Sequence, residues 1–301
     1  MSAAATIVGV VAIAFGLRDV FHTVLHPGGH GSLSDGLQAA VWRLFRVLAR
    51  PFPALLALAG PVALAATLGV WATLVAVGWA LVLWPHLPQG FLIASGLDPA
   101  EQGGFADALY VSFVTLSTLG YGDIAPRSGW LRILGPLEAF VGFSLITAAI
   151  SWILSVYPVL ARRRSLARRI ALIREGEPIA AVKALHLGGD SAATLLDELT
   201  TGIIAVEGDL SQFPVTYYFH GDDDRSSLCV AMPHLVRLAA DASSPDCPPA
   251  IRLRGAMLQQ AIQDFAAELG GRFLALPAAP VDAVLRAYAA DHDPAAGGAA
   301  T

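Results

Sequence analysis

Three apolar stretches, each long enough to cross a lipid bilayer, constrain this chain more than any other feature of its sequence. They cover about residues 3–24, 61–84 and 130–157. A membrane-spanning helix needs about 20 predominantly apolar residues, and each stretch reaches that length. Only 14% of the residues are charged and 55% are hydrophobic, whereas soluble domains carry about 25% charged residues. The sequence therefore predicts an α-helical membrane protein.

The first 50 residues are predicted to form an extra N-terminal membrane helix and an amphipathic segment. No basic residues precede the first apolar stretch, which argues against a cleaved signal peptide. Arg43, Arg46 and Arg50 share one side of the second segment, which favours a helix on the inner leaflet. A voltage sensor is the alternative, but it requires a longer arginine ladder inside a helical bundle.

Arginines are distributed unequally around the spans. Three precede the second span, and five follow the third between residues 162 and 169. The loop 85–104 contains no lysine or arginine. The positive-inside rule therefore predicts a multi-pass protein of a cytoplasmic membrane, with the N-terminus outside and the C-terminal part in the cytoplasm.

Residues 161–301 are predicted to form a mainly helical cytoplasmic domain, with a short strand at 214–220 and a disordered tail. We find no Gly-x-Gly-x-x-Gly segment after a strand and no nucleophile–base pattern, so we expect neither an enzyme nor a cofactor. A net charge of −5 argues against a nucleic-acid partner. Whether this domain binds a cytoplasmic ligand or regulator is left open. Cys229 and Cys247 are expected to be free thiols.

The region 51–160 contains the two remaining spans and, between them, the shorter apolar segment 105–117. This segment is too short to cross a bilayer, and Asp107 in its first turn suits a helix N-terminus. We therefore predict a re-entrant half-helix. Non-helical backbone at membrane depth is tolerated only inside protein or along water, so the loop 118–123, "TLGYGD", is predicted to line a pore.

The two glycines of this loop suit a backbone that binds ions. A dehydrated cation needs oxygen ligands, and successive carbonyls can supply them if alternate residues adopt positive φ. Gly120 and Gly122 accept positive φ without steric cost. Tyr121 is expected to pack behind the loop, and the Thr118 hydroxyl to stand at its inner end. One copy provides only one wall, so four chains are predicted to surround a shared axis.

The motif Thr118-Leu119-Gly120-Tyr121-Gly122-Asp123 closely resembles the signature of the potassium channel superfamily. The order helix, half-helix, filter, helix resembles the two-helix pore module of prokaryotic potassium channels, over about residues 61–164. The resemblance implies that potassium is the permeant ion. It also implies that the carbonyl groups lining the potassium sites belong to Thr118, Leu119, Gly120 and Tyr121.

Two residues depart from the pattern of that superfamily. Leu119 replaces the commoner valine or isoleucine. Val114 stands where some relatives have a glutamate that contacts the filter aspartate. Asp123 is therefore expected to use another partner, such as Tyr110, to support the filter.

The third span carries further candidate pore residues. Its small hydroxyl residues share one helical face, which predicts either the wet wall of an inner cavity or close helix packing. Gly142 is either a hinge or a packing residue. Glu138 is expected to brace the filter from behind or to pair with Arg132. The hydroxyl residues are Ser144, Thr147, Ser151 and Ser155.

Near the end of the first span, Asp19, His22 and His26 share a helical face, with His30 close by. They could bind a transition metal or sense pH, or they could be interfacial side chains before a turn.

The sequence as a whole predicts a potassium-selective, homotetrameric channel embedded in membrane lipid. The alternatives are a weakly selective cation channel and a non-conducting membrane sensor whose cytoplasmic domain carries the function.

Overall fold

A computed structural model describes residues 2–26, 31–96, 98, 102–221 and 223–293. The described residues form α-helices joined by short 3₁₀ or π turns, with one two-stranded sheet. The α-helices are α1 (Ser2–Val20), α2 (Ser32–Leu48), α3 (Ala59–Leu83), α4 (Phe105–Leu116), α5 (Gly129–Ala180), α6 (Gly189–Gln212), α7 (Leu228–Ala242), α8 (Pro249–Arg272) and α9 (Val281–His292). The strands are β1 (Phe91–Ile93) and β2 (Ile124–Pro126), which pair antiparallel.

Three helical stretches are long and apolar enough to cross a membrane: Ala3–Leu25, Pro53–His86 and Gly129–Ala180. They contain the three predicted spans. The third is much longer than predicted, since α5 has 52 residues and a length of about 78 Å, against about 30 Å for a bilayer core. The predicted domain boundary at residue 161 therefore falls inside a continuous helix.

The strand prediction for residues 214–220 is wrong. Pro214–Tyr218 is a 3₁₀ turn whose five side chains are all buried. Proline favours the first position of such a turn, and no strand of the described chain lies beside it to supply ladder hydrogen bonds. The strands that do form, β1 and β2, were not predicted. β1 precedes the loop that leads to α4, and β2 follows the filter loop. Leu92 of β1 lies opposite Ala125 of β2.

The chain divides into two compact units, which do not follow the predicted domain bounds. One comprises residues 1–37 and 64–154, and the other comprises residues 38–63 and 155–301. The second unit includes most of α2 because the apolar face of this helix is buried in the core of α6 to α9, beginning with Trp42. The carboxylate of Asp291 accepts hydrogen bonds from the Trp42 indole (2.8 Å) and the Tyr217 hydroxyl (2.6 Å).

Both cysteines are free thiols, as predicted. Cys229 is buried in the core of the second unit, and this burial raises the pKa of its thiol. The Cys229 side chain therefore stays protonated at neutral pH and acts as a small apolar group.

In the first unit, α1 packs against α3 through paired glycines. A Cβ added to Gly9 would overlap the carbonyl oxygen of Gly78. A Cβ added to Gly78 would lie 2.9 Å from the carbonyl oxygen of Gly9 and 2.7 Å from the Ile13 side chain. Small residues allow such close approach between membrane helices, where dispersion contacts and not the hydrophobic effect stabilise packing. The extra N-terminal helix is therefore a packed part of the first unit.

Candidate functional site

The candidate pore loop begins at the C-terminus of α4. This helix has 12 residues and a length of about 18 Å, too short to span a bilayer. At its N-terminus, the backbone amide of Gly104 donates to the Asp107 carboxylate at 2.9 Å, which stabilises the first turn. Four side chains anchor the helix by burial: Ala108, Val111, Ser112 and Leu116.

The loop after α4 alternates between left-handed and ordinary backbone conformations. Thr118, Gly120 and Gly122 have φ values of +59°, +56° and +78°. The two glycines were predicted to need positive φ. Thr118 was not, because a side chain with a branched Cβ is strained in this region and its residue type gives no sign of the conformation.

Backbone amides of this loop point back towards α4. The amide of Leu119 donates to the Val114 carbonyl at 3.0 Å, and the amide of Gly120 lies 3.3 Å from the same oxygen. In a planar trans peptide the carbonyl points opposite to the N–H, so the carbonyls of Thr118 and Leu119 point away from α4. Within the described chain, the carbonyl oxygens of 118–121 accept no hydrogen bond.

Asp123 fixes the C-terminal end of the loop. The Tyr110 hydroxyl donates to its carboxylate at 2.6 Å, which is the contact suggested from the sequence. The Asp123 carbonyl accepts from the Ala94 amide at 2.8 Å. The loop is therefore tied both to α4 and to the strand pair.

A Tyr110→Phe substitution tests whether this hydrogen bond maintains a conducting loop. We expect ion flux through reconstituted protein to decline several-fold faster during a sustained gradient, because the charge-assisted bond to Asp123 is lost. Stopped-flow flux over time measures the decline. Tyr157→Phe, which removes a hydroxyl on α5, is the matched control. Identical decay in the wild-type protein and both variants would contradict a supporting role for Tyr110.

Glu138 contacts the half-helix from behind. It is buried, and its carboxylate oxygen lies 2.6 Å from the Ser112 hydroxyl. That hydroxyl also lies 3.0 Å from the Ala76 carbonyl. Ser112 thus links α3, α4 and α5 at one buried point. Of the two contacts weighed for Glu138, the structure contains one with the half-helix, and Ser112 was missed because a lone serine in an apolar helix gives no signal.

Gly142 lies against the end of α4. A Cβ on Gly142 would overlap the Leu116 carbonyl oxygen and would lie 2.7 Å from its carbonyl carbon and 2.8 Å from its Cα. This contact favours the packing interpretation of Gly142 over the hinge interpretation, because the glycine allows α5 to touch the backbone that leads into the loop.

The predicted polar face of α5 is exposed in the single chain. The hydroxyls of Ser144 and Thr147 donate to carbonyls one turn earlier in their own helix, Phe140 and Phe143, at 2.8 and 2.9 Å. Ser151 and Ser155 continue the same exposed face. Such hydroxyls keep a helix surface polar while their hydrogen bonds are made within the same helix. The face can therefore border either water or another helix.

Asp19 is buried, and its carboxylate accepts hydrogen bonds from two other helices. Its side chain is only 2% exposed. The carboxylate accepts from the backbone amide of Leu33 at 3.0 Å, from the Trp71 indole at 2.9 Å and from the Ser34 hydroxyl. These donors belong to the first turn of α2 and to α3, so Asp19 caps α2 and connects it with two membrane helices.

This network leaves Asp19 committed to other partners, which argues against the metal hypothesis. The His22 and His26 rings contact each other at a tilt of 36°, with centroids 5.4 Å apart. In the described ranges, no cluster of three or more His, Cys, Asp or Glu side chains could hold a metal ion. His30 lies outside the described residues.

Comparison with known proteins identifies the family of the module that contains this loop. The sequence profile of a family described as "Ion channel" matches residues 68–157. Two-pore potassium channel 1 of Arabidopsis thaliana is 31% identical over 96 residues, which cover 32% of this chain and 26% of that channel. Two-pore potassium channel 5 of the same plant is 39% identical over 55 residues, 18% of this chain and 14% of that one. The module at residues 68–157 belongs to this ion channel family, and potassium channels are among the proteins that the chain resembles.

The chain is also similar to the uncharacterized membrane protein YdjJ of Bacillus subtilis, with 26% identity over 230 residues. That match covers 75% of this chain and 66% of the Bacillus protein. The chain thus spans slightly less than two thirds of that relative, about a quarter of one plant protein and 14% of the other. No solved structure matches it. The protein is an α-helical, multi-pass membrane protein that contains an ion channel module.

Proposed function

We propose that this channel conducts potassium ions selectively and passively through a homotetrameric pore. The observation that carries the proposal is the set of carbonyl groups at 118–121, which have no partner in the described chain while neighbouring amides are tied to α4. Four such loops around an axis would surround a dehydrated cation with main-chain oxygens. Potassium is the permeant ligand in this proposal, at the carbonyls of Thr118, Leu119, Gly120 and Tyr121, with Gly122 completing the loop.

The need for other subunits is supported by what a single chain leaves uncovered. Leu119 and Tyr121 are 60% and 67% exposed, although they belong to an apolar, membrane-embedded module. Neighbouring copies would cover them and would supply the remaining walls. The exposed face at Thr147, Ser151 and Ser155 would then border an inner cavity, with the negative C-terminal end of α4 favouring cations there.

The proposed orientation follows from the arginines. Arg43, Arg46 and Arg50 precede the second span, and five more arginines follow the third. In the proposed orientation both clusters and the second compact unit lie on the cytoplasmic side of a bacterial cytoplasmic membrane. The N-terminus then lies outside. A cytoplasmic regulator would act on the second unit.

Reconstitution of the full chain into liposomes tests the proposal. With potassium on one side and sodium on the other, we expect a reversal potential close to the potassium equilibrium potential. A reversal potential near zero would favour a weakly selective cation channel. Absence of flux from well-folded tetramers would favour a non-conducting sensor, and a particle mass of one or two chains would contradict the four-fold pore.

A further inference from the structure

The end of α2 and the segment after it border a cavity of the second unit that is rich in arginine. The cavity has a volume of about 310 Å³. Three arginines and two aspartates carry its charge, and three small or aliphatic side chains form the rest. The lining residues are Arg43, Arg46, Val47, Ala49, Arg50, Leu56, Asp291 and Asp293.

One arginine of this cavity is fixed, whereas two are available. Arg46 forms an ion pair with Asp291 at 2.6 Å, and Asp291 also accepts from Trp42 and Tyr217. Arg43 and Arg50 are exposed, and neither has a carboxylate partner among the residues that the structure describes. The cavity therefore has a rigid wall and two guanidinium groups able to bind an anion. Guanidinium groups match phosphate oxygens in geometry as well as charge.

Apolar side chains surround these arginines on the same segment. Leu44, Val47, Leu48 and Phe52 are 56%, 57%, 43% and 66% exposed. Their residues interleave with the arginines, and the membrane span Pro53–His86 begins directly after Phe52. The segment therefore directly precedes this apolar stretch, and under the proposed function we place it at the membrane surface. A soluble anion would not explain why large apolar side chains accompany the arginines there.

We propose that Arg43 and Arg50 bind the phosphate group of an anionic phospholipid, while the apolar side chains of the segment contact its acyl chains. The Arg46–Asp291 pair forms the fixed wall of the site. The assignment to the cytoplasmic leaflet, where basic segments meet anionic lipid, rests on the orientation given above. The lipid then holds the second unit against the membrane beside the start of α3.

Native mass spectrometry of the detergent-purified full chain tests this site, using added phosphatidylglycerol or phosphatidylcholine. Two arginines near an anionic headgroup contribute at least about tenfold to its affinity. Arg43→Gln with Arg50→Gln is therefore expected to lower phosphatidylglycerol affinity about tenfold or more. The matched control, Arg237→Gln with Arg252→Gln, removes two exposed arginines of α7 and α8 and should leave the affinity unchanged.

Three results would overturn the proposal: equal losses in both double variants, equal binding of phosphatidylcholine by the wild-type chain, or full competition by millimolar inorganic phosphate. The last result would indicate a free-phosphate site. If the glutamine variant does not fold, the wild-type chain is treated with a photoreactive phosphatidylglycerol, and the positions of the labelled residues test the proposal. Labelling within residues 43–56 supports the site. Labelling that occurs exclusively outside these residues refutes it. Because no ion flux is measured, failure here is distinguishable from failure of the potassium channel proposal.

Discussion

Gly122→Ala is expected to abolish the preference for potassium over sodium in protein that still assembles. Gly122 has φ +78°, and its surroundings leave open space for a Cβ. The effect therefore arises from the backbone and not from a clash. An alanine in the left-handed region costs about 1–2 kcal/mol per residue, or about 4–8 kcal/mol over four subunits. The loop is expected to relax and turn its carbonyls from the axis.

Reversal potentials under potassium and sodium measure this effect. Gly129→Ala is the matched control, because Gly129 begins α5, has open space around it and has no left-handed φ among the described residues. The control should retain wild-type selectivity. Undisturbed potassium preference in the Gly122 variant would remove the assignment of this loop as the ion filter.

Gly142→Ala is expected to lower thermal stability and to impair selectivity together. The added Cβ would meet the Leu116 backbone at 2.7 Å and 2.8 Å, and a backbone cannot rotate aside as a side chain can. Overpacking of this kind costs about 1–3 kcal/mol. The least costly relief is a displacement of the α4 C-terminus, which lies only two residues before Thr118.

A thermal unfolding curve and a reversal potential on the same sample separate packing from hinge motion. A hinge interpretation predicts a reduced open fraction with intact stability and selectivity, and that result would contradict the packing role. Gly135→Ala is the control on the same helix, since a Cβ at Gly135 meets nothing within 4 Å. It should be neutral or stabilising by about 0.5–1 kcal/mol, because alanine favours a helix interior.

Sequence reasoning succeeded where a property belongs to a short run of residues. Hydropathy over about 20 residues predicted three spans, and all three helical stretches exist. The length of 105–117 predicted a short helix before the loop, and α4 is that helix. The absence of a glutamate at Val114 pointed to Tyr110 as the partner of Asp123, and their 2.6 Å hydrogen bond is present.

The same reasoning failed where a residue depends on distant partners. Residues 214–218 have strand-like composition, but they form a buried turn among helices. The amphipathic face of α2 suggested a membrane surface alone, whereas Trp42 packs into a core built mainly from residues beyond 160. The pattern of apolar residues in a segment predicts that one face is buried, but it does not identify the residues that cover this face.

The amino-acid sequence by itself determined the membrane class, the positions of the spans and the glycine conformation of the 118–123 loop, because apolar length and glycine dihedrals are local properties. Only the tertiary structure decided that Thr118 shares the left-handed geometry, that Ser112 joins Glu138 and Ala76, and that Gly142 touches Leu116. These features arise from contacts between segments about 25 to 35 residues apart, or from a strain that those contacts hold in place, and no local pattern encodes them.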